Sequence, residues 1–166
     1  MGQGDIPPVI RGFLLEDYPG GTLKQVLQDS SKRNIPLGKW ALQIAEGLNR
    51  LHLSRITHMD VKPLNVVIAS NDNAVLIDIS GIRGVPRAWL APELRGTNDP
   101  FSLSFEERQC NGIWAYRRLL SLMAESAGDS PEAQLLGCIA TETAKRNSSL
   151  RLELCHVISR LRQLGQ

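Results

Sequence analysis

The sequence predicts a mainly α-helical protein with one small β-hairpin, and three observations support this prediction. Apolar residues recur every three or four positions over several long stretches, as in helices that bury one face. Only two short runs are rich in β-branched residues, 66–69 and 74–77, and the turn-forming SNDN separates them. The 166 residues fit one domain, without internal repeats, that is long enough to bury a core.

The first elements can be assigned from local signals. We expect a short strand over 12–15, then a Pro-Gly-Gly turn, and then a short helix capped by Thr22. That helix places Leu23, Val26 and Leu27 on one face. A longer helix begins near Leu37 and carries a buried stripe, which consists of Leu37, Trp40, Ala41, Ile44, Ala45, Leu48 and Leu51.

The hairpin precedes an irregular segment that extends to about Pro100, because Gly and Pro recur there. Ser104 and Glu107 then form a capping box that opens a helix. Pro at the first helical position, after Ser130, opens another. A last helix begins at about Leu150. The helix after Ser104 has apolar positions at Ile113, Trp114, Leu119, Leu120 and Met123. The last helix has them at Leu154, Val157, Ile158 and Leu161.

Composition excludes several classes of protein. Hydrophobic residues make up 42% and charged residues 22%, as in globular proteins, and a net charge of +2 favours neither nucleic acid nor an anionic membrane as a partner. The apolar runs are too short to span a bilayer, and the N-terminus lacks the pattern of a secretion signal. Cys110, Cys138 and Cys155 lack zinc-site spacing, and we expect Cys138 and Cys155 to be small core residues.

One polar constellation stands out, HMDVKPLN at 58–65 followed by the hairpin and LIDIS at 76–80. Phosphoryl transfer requires an oriented hydroxyl, metal ions on the phosphates and neutralisation of charge, and Asp, Lys and Asn side chains supply these. Carboxylate and amide oxygens suit Mg²⁺. The alternative explanation of these two motifs is that their polar residues are solvated loop residues without a catalytic role.

The order of these motifs closely resembles the C-terminal lobe of the eukaryotic protein kinase family. HMDVKPLN resembles its catalytic loop, LIDIS its metal-binding segment, and Ala91-Pro92-Glu93 the end of its activation segment. LLEDYPGGTL at 14–23 resembles the hinge and the first helix of that lobe. The resemblance covers 12–166, which we take as the kinase-like lobe, and leaves 1–11 as an N-terminal extension.

The resemblance implies a role for each matching position. Asp60 would accept the proton of the substrate hydroxyl, and Lys62, followed by Pro63 as in the Ser/Thr branch, would steady the transferred phosphate. Asn65 and Asp78 would hold Mg²⁺.

The resemblance also implies an ATP site. Backbone groups of Glu16 and Tyr18 would meet the adenine, with Leu15 as gatekeeper and Val67 beneath the ring. His58 would be structural, packing beneath the metal-binding segment, and Arg151 would pair with Glu93.

Several positions depart from the family pattern. Met59 replaces an Arg that pairs with a phosphorylated activation loop, and Ser80 replaces a Gly. Pro86 replaces a Thr near the substrate, and Gly112 an Asp that ties down the catalytic loop. Only about ten residues precede the hinge-like strand, so we expect no N-terminal lobe in this chain.

These observations lead to two functional hypotheses, and the remaining alternative is a globular domain in which the order of the motifs is misleading. The first is ATP-dependent phosphoryl transfer to protein Ser or Thr, with weak or no activity of this lobe alone. The second is a non-catalytic, pseudokinase-like module. Both predict an apolar face, formed by Leu14, Leu15, Val67 and Ile79, that binds a protein partner or a second copy. We expect neither a nucleic acid nor a membrane as a partner. We expect the protein to be located in the cytoplasm, and a nuclear location stays open.

Overall fold

The computed structural model describes residues 16–29, 35–79, 86–143 and 153–163. These residues form five α-helices: α1 (Leu23–Gln28), α2 (Leu37–Leu53), α3 (Phe105–Ser126), α4 (Pro131–Glu142) and α5 (Leu154–Gln163). Two strands, β1 (Val66–Ile68) and β2 (Ala74–Leu76), pair antiparallel. The prediction of a mainly helical protein with one hairpin is therefore confirmed, whereas the strand predicted over 12–15 lies outside the described residues.

Local signals set the starts of α1, α3 and α4, as the sequence predicted. Thr22 and Gln25 form a reciprocal capping box at α1, and Ser104 and Glu107 form another at α3. The Ser130 hydroxyl accepts a hydrogen bond from the backbone N–H of Ala133 at the start of α4. Each cap satisfies a backbone N–H group that the first helical turn leaves without an intrahelical partner.

The main core lies where α2 packs against α3, α4, α5 and β2. Its stripe along α2 is buried as predicted, except that Leu51 is half-buried. The buried Tyr116 hydroxyl of α3 donates to the Ala41 carbonyl of α2 at 2.9 Å, which fixes one helix against the other. Burial raises the pKa of this Tyr116 phenol, so it remains a donor.

Polar side chains of α2 hold the hairpin turn. Lys39 Nζ and Trp40 Nε1 donate to the Asp72 carbonyl at 2.8 and 3.0 Å. Gln43 donates to Asn73 Oδ1 at 2.7 Å and accepts from the backbone N–H of Ala74 at 2.8 Å. The long helix therefore determines the position of the hairpin, and with it the residues that flank β1 and β2.

The prediction that two cysteines are core residues is wrong. Cys138 and Cys155 are both exposed, and Cys110 is partly buried. The buried residues of α4 are Ala133, Leu136, Ile139 and Ala140, and this stripe leaves position 138 on the outer face. An apolar neighbourhood in sequence does not identify the buried face of a helix.

Candidate active site

The open end of the hairpin brings Asn65 and Asp78 to one place. Val66 pairs with Leu76, and the backbone N–H of Ile77 donates to the Asn65 carbonyl at 3.0 Å. Asn65 immediately precedes β1, and Asp78 follows Ile77. The Asp78 backbone has φ of 60°, a left-handed conformation that is uncommon for a residue other than Gly, and its side chain is exposed.

His58 connects this end of the hairpin to the loop before it. Its Nε2 lies 3.0 Å from the Ile77 carbonyl oxygen, and its Nδ1 lies 3.3 Å from the backbone nitrogen of Asp60. A carbonyl can only accept and a backbone N–H can only donate, so the neutral ring carries its proton on Nε2. Burial lowers the pKa of His58, which favours this neutral form.

Asp60, Lys62 and Asn65 form a compact cluster. Lys62 Nζ makes an ion pair with Asp60 Oδ2, and the Asn65 amide Nδ2 donates to the same oxygen at 2.9 Å and to the Asp60 carbonyl at 2.8 Å. Asp60 is only 2% exposed. Its Oδ1 is buried and has no hydrogen-bond partner among the described residues. An unpaired buried carboxylate oxygen is costly, so a site that retains one is a candidate functional site.

The segment after the hinge-like residues lies along the outer edge of β1. Gly20 N–H donates to the Ile68 carbonyl at 3.1 Å, and Ile68 N–H donates to the Gly21 carbonyl at 2.9 Å. A Cβ on Gly20 would lie 2.5 Å from the Ile68 carbonyl oxygen, and Gly21 has φ of 74°. The Gly-Gly pair therefore permits a close approach and a left-handed backbone that other residues resist.

Two predicted adenine contacts precede this segment. The Tyr18 hydroxyl donates to Glu16 Oε2 at 3.0 Å, and this hydrogen bond raises the Tyr18 pKa. The Tyr18 N–H and the Glu16 carbonyl bond to no described residue, whereas the Tyr18 carbonyl accepts from Gly21 N–H at 3.1 Å. Val67 forms a bridge with Thr22 and is only 7% exposed, so the expected contribution of Val67 to an exposed apolar face is wrong.

Comparison with known proteins identifies this arrangement. A family model, the protein kinase domain, matches residues 10–95, which include the hinge-like segment, the Asp60 cluster and Asp78. This chain belongs to the protein kinase family. The kinase match extends through the predicted end of the activation segment at Glu93.

Several serine/threonine kinases are similar to this kinase chain. A probable serine/threonine-protein kinase of Dictyostelium discoideum is 36% identical over 96 residues, 49% of this chain and 10% of that protein. The serine/threonine-protein kinase mos of Patiria pectinifera is 38% identical over 61 residues, 36% of this chain and 17% of its own. Mitogen-activated protein kinase kinase kinase 13-B of Xenopus laevis is 30% identical over 120 residues, which are 65% of this chain and 12% of that protein. The chain thus spans less than a fifth of each relative's length.

The donor set of this kinase chain fits Mg²⁺, which the family typically uses with ATP. The Asn65 Nδ2 group donates hydrogen bonds to two oxygens of Asp60, so the amide Oδ1 is the atom that can bind a cation. Asp78 adds an exposed carboxylate at the same end of the hairpin. Oxygen ligands in small number, completed by water and phosphate, are what Mg²⁺ prefers.

Of three other predicted site residues, the structure describes only Glu93. Leu15 and Arg151 lie outside the described residues, so neither the gatekeeper position nor the pair of Arg151 with Glu93 is tested. Glu93 lies on a short 3-10 turn, Pro92–Leu94, and its side chain is exposed.

Sequence reasoning missed a buried polar residue that supports the kinase site. Asn111 of α3 is fully buried, and its Oδ1 accepts from the backbone N–H of Ala91 at 2.8 Å. It therefore holds the Ala91-Pro92-Glu93 motif against α3. Met59, at the position of the family's Arg, is 1% exposed and packs with Ala91, Leu94 and Trp114. The sequence signal that could have identified Asn111 is its position as a polar residue beside the apolar stripe of α3.

Gly112 lies beside a buried histidine, His52, that has no hydrogen-bond partner among the described residues. A Cβ at Gly112 would lie 3.3 Å from His52 Nε2, so an Asp at this position would place a carboxylate beside that ring. Both ring nitrogens of His52 lack partners among the described residues. Burial lowers the pKa of His52 to about 4.

No helix among the described residues combines the length and apolar character that crossing a bilayer requires.

Proposed function

We propose that this chain carries the catalytic loop and metal-binding segment for transfer of the ATP γ-phosphoryl group to Ser or Thr hydroxyls of proteins. The observation that carries the proposal is the Asp60 cluster, in which a buried carboxylate keeps one oxygen unpaired beside a Lys and an Asn. Membership of the protein kinase family and the similarity to serine/threonine kinases support it.

Each residue of the cluster has a distinct task. Asp60 orients the acceptor hydroxyl and takes its proton, and its unpaired Oδ1 is the atom suited to that bond. Lys62 neutralises negative charge on the moving phosphoryl group. Asn65 and Asp78 hold Mg²⁺, which when bound offsets the charge of the phosphates. His58 positions Asp78 through the Ile77 carbonyl.

The ion pair of Lys62 with Asp60 must be exchanged during this reaction. Lys62 Nζ forms an ion pair with Asp60 Oδ2, and Asp60 is almost completely buried. We infer that the phosphates of ATP draw Lys62 away from Asp60, which admits the acceptor hydroxyl. Loss of one ion pair is offset by a charge-assisted contact to phosphate, so the exchange costs little.

Calorimetric titration of the whole chain with Mg·ATP tests the nucleotide site, with Asp78→Asn as the matched variant. We expect binding that Asp78→Asn abolishes, because that change removes one negative charge from the cation site. Phosphate transfer to a Ser-containing peptide is measured in parallel, and Asp60→Asn should eliminate it. Absence of binding up to millimolar nucleotide would overturn the proposal.

A second candidate function is a pseudokinase-like module that binds a protein partner or a second copy without catalysis. The observation that favours it is the exposed Ile79, 43% accessible directly beside Asp78. The unpartnered His52 beside Gly112 is consistent with a relaxed requirement for a rigid catalytic loop. Sedimentation analysis of Ile79→Ser against Asp60→Asn separates the two functions, because only the first change should weaken association.

A further inference from the structure

A cleft of about 540 Å³ lies beside the Asp60 cluster. Its walls come from α1, the short turn Pro63–Asn65, the short turn Arg87–Trp89 and the end of α3. We call this feature the α1–α3 cleft. It has the size of pockets that bind side chains and small ligands.

Lys62 connects the α1–α3 cleft to the candidate active site. The side chain of Lys62 lines the cleft, and its Nζ makes the ion pair with Asp60. The cleft therefore begins within one lysine side chain of the carboxylate that would meet the acceptor hydroxyl. That length corresponds to about two residues of extended peptide.

The chemistry of the cleft is mainly apolar. Leu27, Leu64, Trp89 and Leu122 line it together with Pro63. Leu64 is 48% exposed although it adjoins the buried Asn65, so its side chain offers uncovered apolar surface. Covering such surface with a Leu or Phe side chain contributes about 1.5–3 kcal/mol.

Charges in the cleft are balanced rather than of one sign. Lys24 and Lys62 contribute two positive charges and Glu125 one negative charge. Lys62 is already paired with Asp60, which leaves one cation and one anion for a ligand. This balance gives no strong preference for a charged ligand group, so shape and apolar contact decide what binds.

We propose that the α1–α3 cleft binds a large apolar side chain of the acceptor polypeptide, located about two residues from the phosphorylated Ser or Thr. This inference rests on the proposed function and names its substrate class, an extended peptide with a Leu, Ile, Met or Phe near the acceptor. Continuity of the cleft with Lys62 and Asp60 is the observation that favours a peptide acceptor over a separate ligand.

The probes are synthetic nonapeptides of Gly and Ala around a central Ser, in which a single Phe occupies each position in turn. The parent peptide has Ala instead. Binding to the whole chain is followed without nucleotide through the indole N–H resonance of Trp89, assigned with Trp89→Phe. Leu64→Asp and Leu64→Ser test the wall of the cleft. Leu53→Asp is the matched control, because Leu53 is 77% exposed and lies outside the cleft.

We expect Phe at one or two positions near the Ser to tighten binding about tenfold, which corresponds to about 1.4 kcal/mol. Both Leu64 variants should remove most of that gain, and Leu53→Asp should keep it. Equal binding of the Phe and parent peptides overturns the inference, as does a Phe preference that survives both Leu64 changes. Binding that leaves the Trp89 resonance unshifted also overturns it.

The same peptides separate this inference from the proposed function. Transfer from Mg·ATP to peptides regardless of Phe would support phosphoryl transfer and refute the role of the cleft. A Leu64-dependent Phe preference without any transfer would refute phosphoryl transfer, and would leave the apolar peptide preference of the cleft supported.

Discussion

The ring of His58 joins the Asp60 backbone to the Ile77 carbonyl, at 3.3 Å on one side and 3.0 Å on the other. One buried side chain thereby couples the loop that holds Asp60 and Lys62 to the segment that holds Asp78. Covalent connection between these segments passes through the whole hairpin, so the direct bridge determines their spacing more tightly than the chain does. The neutral state of His58, favoured by burial, is what permits one nitrogen to accept while the other donates.

The first prediction concerns this bridge. His58→Leu leaves the Asp60 N–H and the Ile77 carbonyl without their partner, so the free energy of unfolding should fall by about 1–3 kcal/mol. Urea unfolding measures the loss, and amide exchange at Asp60 should accelerate. His156→Leu removes an exposed histidine and serves as the control. Equal stability of the two variants would contradict the bridge.

The second prediction is a dependence of stability on pH through His52. Its pKa is about 4 in the folded protein against 6.5 ordinarily, so the unfolded chain takes up a proton that the folded chain refuses. The contribution of neutral His52 to the free energy of unfolding is fully present above pH 6.5. It is lost as the pH falls from there towards 4. Between about pH 7.5 and about pH 5 the loss amounts to about 2 kcal/mol.

His52→Leu should abolish this part of the pH dependence. Unfolding in urea at the two pH values measures it, and the stability of the unaltered chain should fall about 2 kcal/mol further than that of the variant. His156→Gln is the control and should retain the full dependence. A parallel fall in the unaltered chain and in His52→Leu would show that His52 takes no part.

The third prediction compares two glycines. Gly20→Ala places a Cβ against the backbone carbonyl of Ile68, which cannot move without disturbing β1, so we expect destabilisation of at least about 1 kcal/mol. Gly137→Ala lies within α4, where no described atom other than the chain neighbours and the backbone of the same helix lies within 4 Å of the new Cβ, and it should stabilise by about 0.5–1 kcal/mol. Thermal unfolding of both variants measures the difference. Stabilisation by Gly20→Ala would be inconsistent with the described approach to β1.

The fourth prediction concerns the buried Asn111. Asn111→Leu removes the acceptor for the Ala91 N–H, and the unsatisfied donor should cost about 1–3 kcal/mol. Hydrogen exchange at the Ala91 amide should rise in the same variant. Asn98→Leu alters an exposed Asn and should leave both quantities unchanged. Unaltered exchange at Ala91 in Asn111→Leu would mean that another group holds this motif.

The sequence by itself determined the order of the helices and the hairpin, and it indicated the residues of the candidate site. Helix starts at Thr22, Ser104 and Ser130 follow from caps made with residues three positions away, and the hairpin follows from its turn. These signals are local, so they can be recognised without knowing what packs against them. The spacing of Asp60, Lys62 and Asn65 indicated a kinase-like loop for the same reason.

Only the tertiary structure decided which side chains are covered and which atoms meet. Val67 is buried because the segment after the hinge-like residues adds to β1, and Cys138 is exposed because α4 turns another face to α3. The position of Gly112 beside His52 and the α1–α3 cleft likewise depend on segments far apart in the chain. Burial is the sum of contacts between distant residues, and periodicity along one segment carries no information about its partner.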